Sequence, residues 1–307
     1  MKIFMTGGDG FVGSHLVPLL EHNHEIYHLK SDLRSHKDVQ LELVAEQPDI
    51  IIHLAARTEV EQSFYEQVTF SEINYVGTVN LIEGAARVRK LKNFIFPSTM
   101  EVYGWQPISD EIKNNTVPKE FIAFDEYTRP NPNAPYAVAK YACEKYLEYA
   151  YRCYGLPFTS IRQTNAYGRK DNKFFVTEQM ISQMIANPNE ANFGYAEPYR
   201  NFIHVDDLMD AYLTIINNPD NVQGRILTIG PNNPIKIRDY ADKIADKLNW
   251  KGKINWNTKL FRPGEIYYLN SNHNLITELT GWKPKVSLDE GLDRTIEIWK
   301  SHERHRI

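Results

Sequence analysis

Cysteine is nearly absent: the 307 residues contain two, Cys143 and Cys153. Both fall in one expected helical stretch, with no metal-ligand spacing and no disulfide framework, which points to a reducing compartment. No apolar run approaches the about 18 residues of a membrane span. No signal-peptide core precedes the first expected strand either, so a cytoplasmic protein is expected. Basic runs are also missing, and a net charge of −4 argues against nucleic acid as a partner. Repeats, low-complexity segments and metal-ligand clusters are not visible. What remains, 42% hydrophobic and 24% charged residues, is a soluble composition with ample core for one large α/β domain or a domain with a smaller partner.

Residues 2–6, 25–30, 49–54 and 92–96 read as short apolar strands, the last running into Pro97-Ser98-Thr99. Between them, residues 11–21, 39–46 and 70–90 carry apolar side chains at helical spacing, with Ile73, Val76, Leu81 and Ile82 on one side of the third. This alternation implies a doubly wound parallel α/β sheet covered on both faces, with ligands at the carboxyl ends of its strands. A proline-punctuated stretch, 105–135, leads to a helix over 136–154 closed by Gly155, then a strand at 158–162. The alternation loosens afterwards. Residues 1–165 are therefore expected to form the sheet domain, and 166–307 mainly a smaller C-terminal lobe interleaved with the last sheet strands. Residues 108–124 read equally as a lid or subunit contact and as a solvated loop.

Gly7, Gly10 and Gly13 follow the first strand and open the first helix. In that context Gly7 permits a tight turn, Gly10 lets the backbone approach a pyrophosphate, and Gly13 allows close helix–strand packing. The amino end of the helix, at Phe11 and Val12, then faces the anion with free N–H groups. The implied cofactor is a nicotinamide dinucleotide. Lys30 and Arg34, at the end of the second strand, are placed to flank an added phosphate and tilt NAD(P) toward NADP, whereas Asp32 suits the adenosine ribose.

Further motifs stand in order along the chain. They are Thr6-Gly-Gly-Asp-Gly-Phe-Val-Gly13, His53-Leu-Ala-Ala56, Asn74 in Asn-Tyr-Val-Gly-Thr, and Ser98-Thr-Met-Glu-Val-Tyr-Gly104. Tyr136 with Lys140, Arg162-Gln-Thr-Asn-Ala-Tyr-Gly168, Arg200-Asn-Phe-Ile-His-Val-Asp-Asp207 and Arg262-Pro-Gly-Glu265 complete the series. With these the chain resembles, over nearly its whole length, the extended short-chain dehydrogenase/reductase family of NAD(P)-dependent nucleotide-sugar epimerases and dehydratases. The compact stretch 30–49 is most similar to the sugar reductase/epimerases of fucose and rhamnose synthesis. The resemblance implies a Rossmann-like domain whose cofactor site comprises Gly7, Gly10, Phe11, Val12, Gly13, Lys30, Asp32, Leu54, Ala55, Ala56, Asn74, Tyr136 and Lys140. It also implies a homodimer, paired through the helices over 70–90 and 136–154.

A phenol with a pKa of about 10 must become roughly a thousandfold more acidic to act as a base near neutrality, about 4 kcal/mol of differential stabilisation. Lys140, one helical turn beyond Tyr136, is expected to place a cation beside the phenolate. By resemblance, Thr99 hydrogen-bonds the sugar oxygen being oxidised. Glu101 stands where dehydratases carry the glutamate that takes the carbon 5 proton, and where UDP-xylose-forming decarboxylases also have a glutamate. Met100 departs from the glucose-type dehydratases, whose aspartic acid there protonates the departing hydroxyl; the mannose-type enzymes have a serine. The expected chemistry is a 4,6-dehydratase-type elimination through a transient 4-keto sugar. Epimerase, 4-keto-sugar reductase or epimerase/reductase, and uronic acid decarboxylase are the alternatives.

On the substrate side, Arg200 and Arg262 match the arginines that grip the nucleotide diphosphate, and Asn165 the asparagine at the sugar-linked phosphate. Thr99, Met100 and Glu101 are expected against the sugar. Asp206 and Asp207 read as caps of a helix over 208–216, and His204 as a packed strand residue. The stretch from Phe174 to Thr177 falls where the base is recognised, without naming the base.

Overall fold

The computed structural model describes residues 1–114, 120–169, 175–258 and 263–304, with 302–304 as backbone alone. Strands β1 (Lys2–Thr6), β2 (Glu25–His28), β3 (Ile50–His53), β4 (Asn93–Thr99) and β5 (Phe158–Gln163) join Arg225–Ile229 in one six-stranded sheet. Its order is β2-β1-β3-β4-β5 and then Arg225–Ile229, with every neighbouring pair parallel. This is the expected doubly wound, Rossmann-like sheet. Between β2 and β3 the chain fits one helix, His36–Glu46, and no further strand, so β3 lies directly against β1. The direction of winding reverses between these two strands, which opens a crevice at their carboxyl ends.

One face of the sheet is closed by α1 (Phe11–Leu20) and Val205–Asn217 over Ile3, Met5, Ile52, Ile95 and Ile161. The other buries Phe4, Ile51, Phe94, Phe96 and Phe158 under His36–Glu46, Gly77–Ala85 and Pro135–Tyr154. The helix expected over 70–90 differs in detail: it begins at Gln67, passes through a π-type stretch at Glu72–Val76 and stops at Ala85. A π turn takes in an extra residue and so rotates the rest of the helix by about 100°. Val76 is exposed while Leu81 and Ile82 are buried, so the four apolar residues do not share a face. Pro135–Tyr154 is bounded as its sequence directs, by Pro135 at its first position and by Gly155 in the left-handed region, φ +68°.

Val176–Ala186, Ile237–Leu248 and Leu288–Arg304 pack around Tyr167, Phe202, Tyr240 and Trp299. The segment 108–124 is packed at both described ends, in a separate apolar cluster, and residues 115–119 lie outside the described set. Ile108 and Ile112, from the helix Pro107–Lys113, share a cluster with Phe124, Ile266 and Tyr268. Ser109 Oγ accepts the Tyr267 N–H at 2.7 Å. A solvated loop therefore does not describe these ends. The two aspartates also differ from expectation. His204 is the residue that caps Val205–Asn217, its Nδ1 accepting the Asp206 N–H at 3.3 Å. The Asp207 carboxylate instead accepts the Lys285 and Val286 N–H groups, both at 2.9 Å, and Asp206 pairs with Arg294. Among the described residues no helix is long and apolar enough to cross a membrane.

Behind the sheet's carboxyl edge lies a buried ion pair. Arg162 Nη2 donates to Glu144 Oε2 at 2.7 Å and Nε to Oε1 at 3.0 Å, while Nη1 reaches the Tyr103 hydroxyl at 3.1 Å. Glu144→Leu strands the guanidinium without a counter-charge and is expected to cost about 3–5 kcal/mol of unfolding free energy in urea. The double variant Arg162→Met/Glu144→Leu should recover most of that loss. A double variant no better than the single one contradicts the pairing argument.

Candidate active site

The crevice between β1 and β3 admits only glycine at its tightest points. Gly7 has φ +70°, and a Cβ on it would lie 2.5 Å from the Ala55 nitrogen. A Cβ on Gly13 would meet the Gly8 carbonyl oxygen at 2.3 Å, so α1 lies hard against the turn. Gly10 caps α1 without a side chain, which leaves the first-turn N–H groups, those of Phe11 and Val12 among them, to an anion. Thr6 Oγ1 accepts the Ala55 N–H at 3.1 Å and holds the stretch from Leu54 to Ala56 against the glycines. Bare backbone, no Cβ and an open helix end together fit a diphosphate.

Glu42 organises the end of β2. Its carboxylate accepts the Lys30 and Ser31 N–H groups at 3.0 and 2.9 Å and the Tyr27 hydroxyl at 2.9 Å. The Lys30 ammonium sits 5.0 Å from the Tyr27 ring centre. Arg34 grips Asp32 with two nitrogens, Nη2 at 2.6 Å and Nε at 3.0 Å, and holds its pKa down to about 2. Asp32 and Arg34, expected to act on opposite kinds of ribose, are thus each other's partners.

His53 ends β3 in full burial, its Nδ1 2.7 Å from Thr6 Oγ1 and its Nε2 2.9 Å from Thr78 Oγ1. The Thr78 hydroxyl donates to the Asn74 carbonyl and must accept from Nε2–H, which leaves Nδ1 to accept from Thr6. The imidazole is therefore neutral. Burial, then the Lys140 charge, lowers its pKa from 6.5 to about 3. The unfolded chain takes up this proton first as pH falls, so stability declines from pH 6.5 toward 3 and is level in this respect above it. His204, also lowered by burial, adds to the slope. Urea midpoints are expected to drop between pH 6.5 and 5, where ordinary carboxylates stay ionised, and His53→Gln should flatten the decline. Midpoints level across that range in the unmodified chain contradict the assignment.

Asn74 is engaged by the loop after β3. Its side chain, 1% exposed, accepts the Arg57 N–H and donates to the Arg57 carbonyl, both at 2.8 Å. With both amide groups taken by the backbone, it braces the loop after β3.

The reactive groups meet at the end of β4. The Tyr136 phenol, in the first turn of Pro135–Tyr154, lies near enough to Thr99 and Glu101 for both to shift its pKa. Thr99 Oγ1 accepts the Glu101 N–H at 3.1 Å and caps the short turn Met100–Tyr103. Burial raises the phenol's pKa above its usual range; the nearby Glu101 charge raises it further, Thr99 offsets part, and Glu59 adds to the rise. Lys140 is buried, with Nζ donating to the Pro97 carbonyl at 2.7 Å and 4.5 Å from the Phe96 ring centre. Burial pulls its pKa down to about 8, against Cys143 and Glu144. The chain's own groups thus raise the Tyr136 pKa, and the expected offset is the charge of Lys140 together with that of an oxidised nicotinamide. Met100 turns away into the apolar cluster of Val102, Tyr103 and Phe124, at 2% exposure.

Asn165 opens a short strand, Asn165–Tyr167, paired in parallel with Phe202–His204. Arg200 is held inside the protein: Nη2 donates to Glu265 Oε1 at 3.0 Å and the Ile266 carbonyl at 2.6 Å, and Nη1 to the Tyr199 carbonyl at 2.9 Å. A phosphate at Arg200 therefore competes with Glu265. Arg262 and Phe174 lie outside the described residues. Sequence reasoning passed over Glu265, although it closes the motif that begins at Arg262. It also passed over Glu59, in a loop without pattern, and Asn133, whose Nδ2 donates to the Gly264 carbonyl and ties that motif to the Tyr136 helix. Among the described residues no three His, Cys, Asp or Glu side chains gather as metal ligands.

Comparison with known proteins agrees with this geometry. The sequence profile of the NAD dependent epimerase/dehydratase family matches residues 3–230. The dTDP-D-glucose 4,6-dehydratase of Dictyostelium discoideum is 28% identical, over 99% of this chain and 82% of its own. The solved UDP-glucose 4-epimerase of Thermotoga maritima, with UDP-glucose, superposes with a TM-score of 0.87 at 27% identity, over 99% of this chain and 100% of its own. RMD from Pseudomonas aeruginosa, complexed with NADPH, superposes with a TM-score of 0.84 at 26% identity, over 98% and 99%. These relatives bear different reaction names, so the likeness reaches the family and stops short of the reaction. With the glycine turn, the Rossmann-like sheet and the Tyr136–Lys140 helix in place, the chain belongs to the NAD dependent epimerase/dehydratase family.

Proposed function

We propose that this protein is a nucleotide-sugar lyase of the 4,6-dehydratase type, working through a transient 4-keto sugar. The observation that carries the reading is the meeting of Tyr136, Thr99 and Glu101: a phenol, a hydroxyl and a carboxylate within mutual influence at one strand end. Such a set can handle two protons, where a plain 4-epimerase needs one. The glycine turn, Leu54–Ala56, Lys30 and Asp32 hold NAD(P), and Lys30 with Arg34 favours NADP slightly. When bound, the oxidised dinucleotide supplies the hydride acceptor and a positive charge beside the phenol, in addition to that of Lys140.

Thr99 then holds the carbon 4 oxygen and Tyr136 takes its proton. The ketone so formed acidifies carbon 5, and Glu101 removes that proton. Hydroxide leaves carbon 6 and departs as water; Glu101, now protonated, is the acid for this step because Met100 has no proton to give. Tyr136, carrying the carbon 4 proton, would return a proton to carbon 5, and a bound dinucleotide would supply the hydride that completes carbon 6. Arg200, Arg262 and Asn165 hold the nucleotide diphosphate, Arg200 after release from Glu265. The boundary between the sheet domain, 1–165, and the substrate lobe, 166–307, falls after the first residue of Asn165–Tyr167, with Arg225–Ile229 returning to the sheet. Exposed Val68, Val138, Tyr149 and Tyr154 on the two helices support a homodimer, and the cytoplasm is the proposed compartment.

One observation favours a second reading, a 4-keto-sugar reductase or epimerase/reductase: the short connection that runs from Lys30, just past β2, through a single helix to β3. Incubating the purified chain, loaded with dinucleotide, with a panel of nucleotide sugars separates the possibilities. Loss of one water from the sugar, without added reductant, supports the lyase. Stoichiometric consumption of NADPH supports the reductase, unchanged mass an epimerase, and loss of carbon dioxide a decarboxylase.

A further inference from the structure

Arg169 stands where the two halves of the molecule meet, and the reaction above does not use it. Its guanidinium carbon lies 3.9 Å from the ring centre of Phe11 on one side and 3.7 Å from that of Phe175 on the other. Phe11 is the first residue of α1, beside the glycine turn; Phe175 caps Val176–Ala186 in the C-terminal lobe. The arginine is held from several directions. Nη1 donates to the Ala166 carbonyl and lies 3.7 Å from Glu178 Oε2, the Arg169 N–H donates to Glu178 Oε1 at 3.1 Å, and Trp299 Nε1 donates to the Arg169 carbonyl at 2.9 Å.

This arrangement is expensive. Arg169 is 9% exposed and Glu178 0%, while Arg169 Nε and Glu178 Oε2 are buried without a hydrogen-bond partner. A plain ion pair would be satisfied better at the surface. What this placement achieves is a broad, planar cation held over two aromatic rings at once, which holds the Phe11 ring with more surface than a lysine ammonium offers. Fixing Phe11 fixes the amino end of α1, whose N–H groups face the crevice.

We infer that Arg169 is a positioning residue for the cofactor turn: by clamping Phe11 against Phe175 it sets how tightly and how long the dinucleotide is held. This rests on the proposed function only in taking the Gly7–Gly13 turn as the dinucleotide site. The substrate lobe, through Phe175 and Glu178, thereby reaches the cofactor without touching it.

The test uses the full chain with NADH and NADPH as probes and no sugar present. Affinity is read by fluorescence titration, release rate by rapid displacement, and melting temperature alongside. Arg169→Lys keeps a charge opposite Glu178 but loses the planar stack; Phe175→Leu removes one face of the clamp and leaves the arginine. Each is expected to bind the better probe about tenfold more weakly, with faster release. Phe175→Tyr, which keeps the ring, should behave like the unmodified chain. Should Arg169→Lys not fold, the Phe175 pair decides. Affinity and release within twofold of the unmodified chain, even with a lowered melting temperature, leave Arg169 a structural residue and overturn the inference. If the unmodified chain binds neither probe, the reading of the turn itself fails, a result distinct from a failure of the clamp.

Discussion

Tyr136→Phe is expected to lower turnover by about a thousandfold, the mid-range of what a positioned acid or base contributes. Affinity for dinucleotide and nucleotide sugar should stay within a few-fold. The reasons are local. The ring is 7% exposed and phenylalanine fills the same space, so packing is kept. Thr99 keeps its hydrogen bond from the Glu101 N–H, so the strand end stays in place. Only the phenolic hydroxyl is lost, and with it the group that exchanges a proton with the carbon 4 oxygen. Steady-state kinetics should place the loss in kcat and leave KM nearly unchanged. A loss smaller than about tenfold removes Tyr136 from the proton path.

Glu101→Gln is expected to separate the two halves of the reaction. Elimination should fall by at least about a hundredfold, because an amide cannot take the carbon 5 proton. Oxidation at carbon 4 should survive and be visible as the near-ultraviolet absorbance of reduced nicotinamide. The carboxylate raises the Tyr136 pKa by its charge, and the neutral amide does not. Removing the charge therefore lowers that pKa, and the oxidation step in the variant should persist to lower pH than in the unmodified protein. Elimination at full rate in Glu101→Gln, or a pH profile shifted upward, rules out the assigned role.

The sheet and the glycine turn were legible because each rests on local rules. Buried strands between helices force a parallel sheet, and Gly7 and Gly13 are glycines because backbone atoms stand where a Cβ would go. Tyr136 and Lys140 were legible as members of a known spacing. Their electrostatics were not. That the Lys140 ammonium donates to Pro97 and that the charges of Glu101 and Glu59 raise the phenol's pKa depend on segments brought together from separate parts of the chain. The π turn at Glu72–Val76 escaped notice because apolar spacing over one window does not reveal an inserted residue. The Asn74 motif points toward the cofactor; that its amide also braces Arg57 depends on a loop whose course no pattern records. Arg200 likewise looks like a phosphate ligand by type, and its engagement with Glu265 appears only in three dimensions.

The central claim is that one hydride leaves the sugar and returns to it while water departs between the two events. The measurement that tests it most directly gives the dinucleotide-loaded protein a nucleotide sugar carrying deuterium on carbon 4 and weighs the product. The account predicts a sugar lighter by one water, with the deuterium retained and now on carbon 6. A product that keeps all its oxygens, or whose deuterium has passed into free reduced dinucleotide, contradicts it.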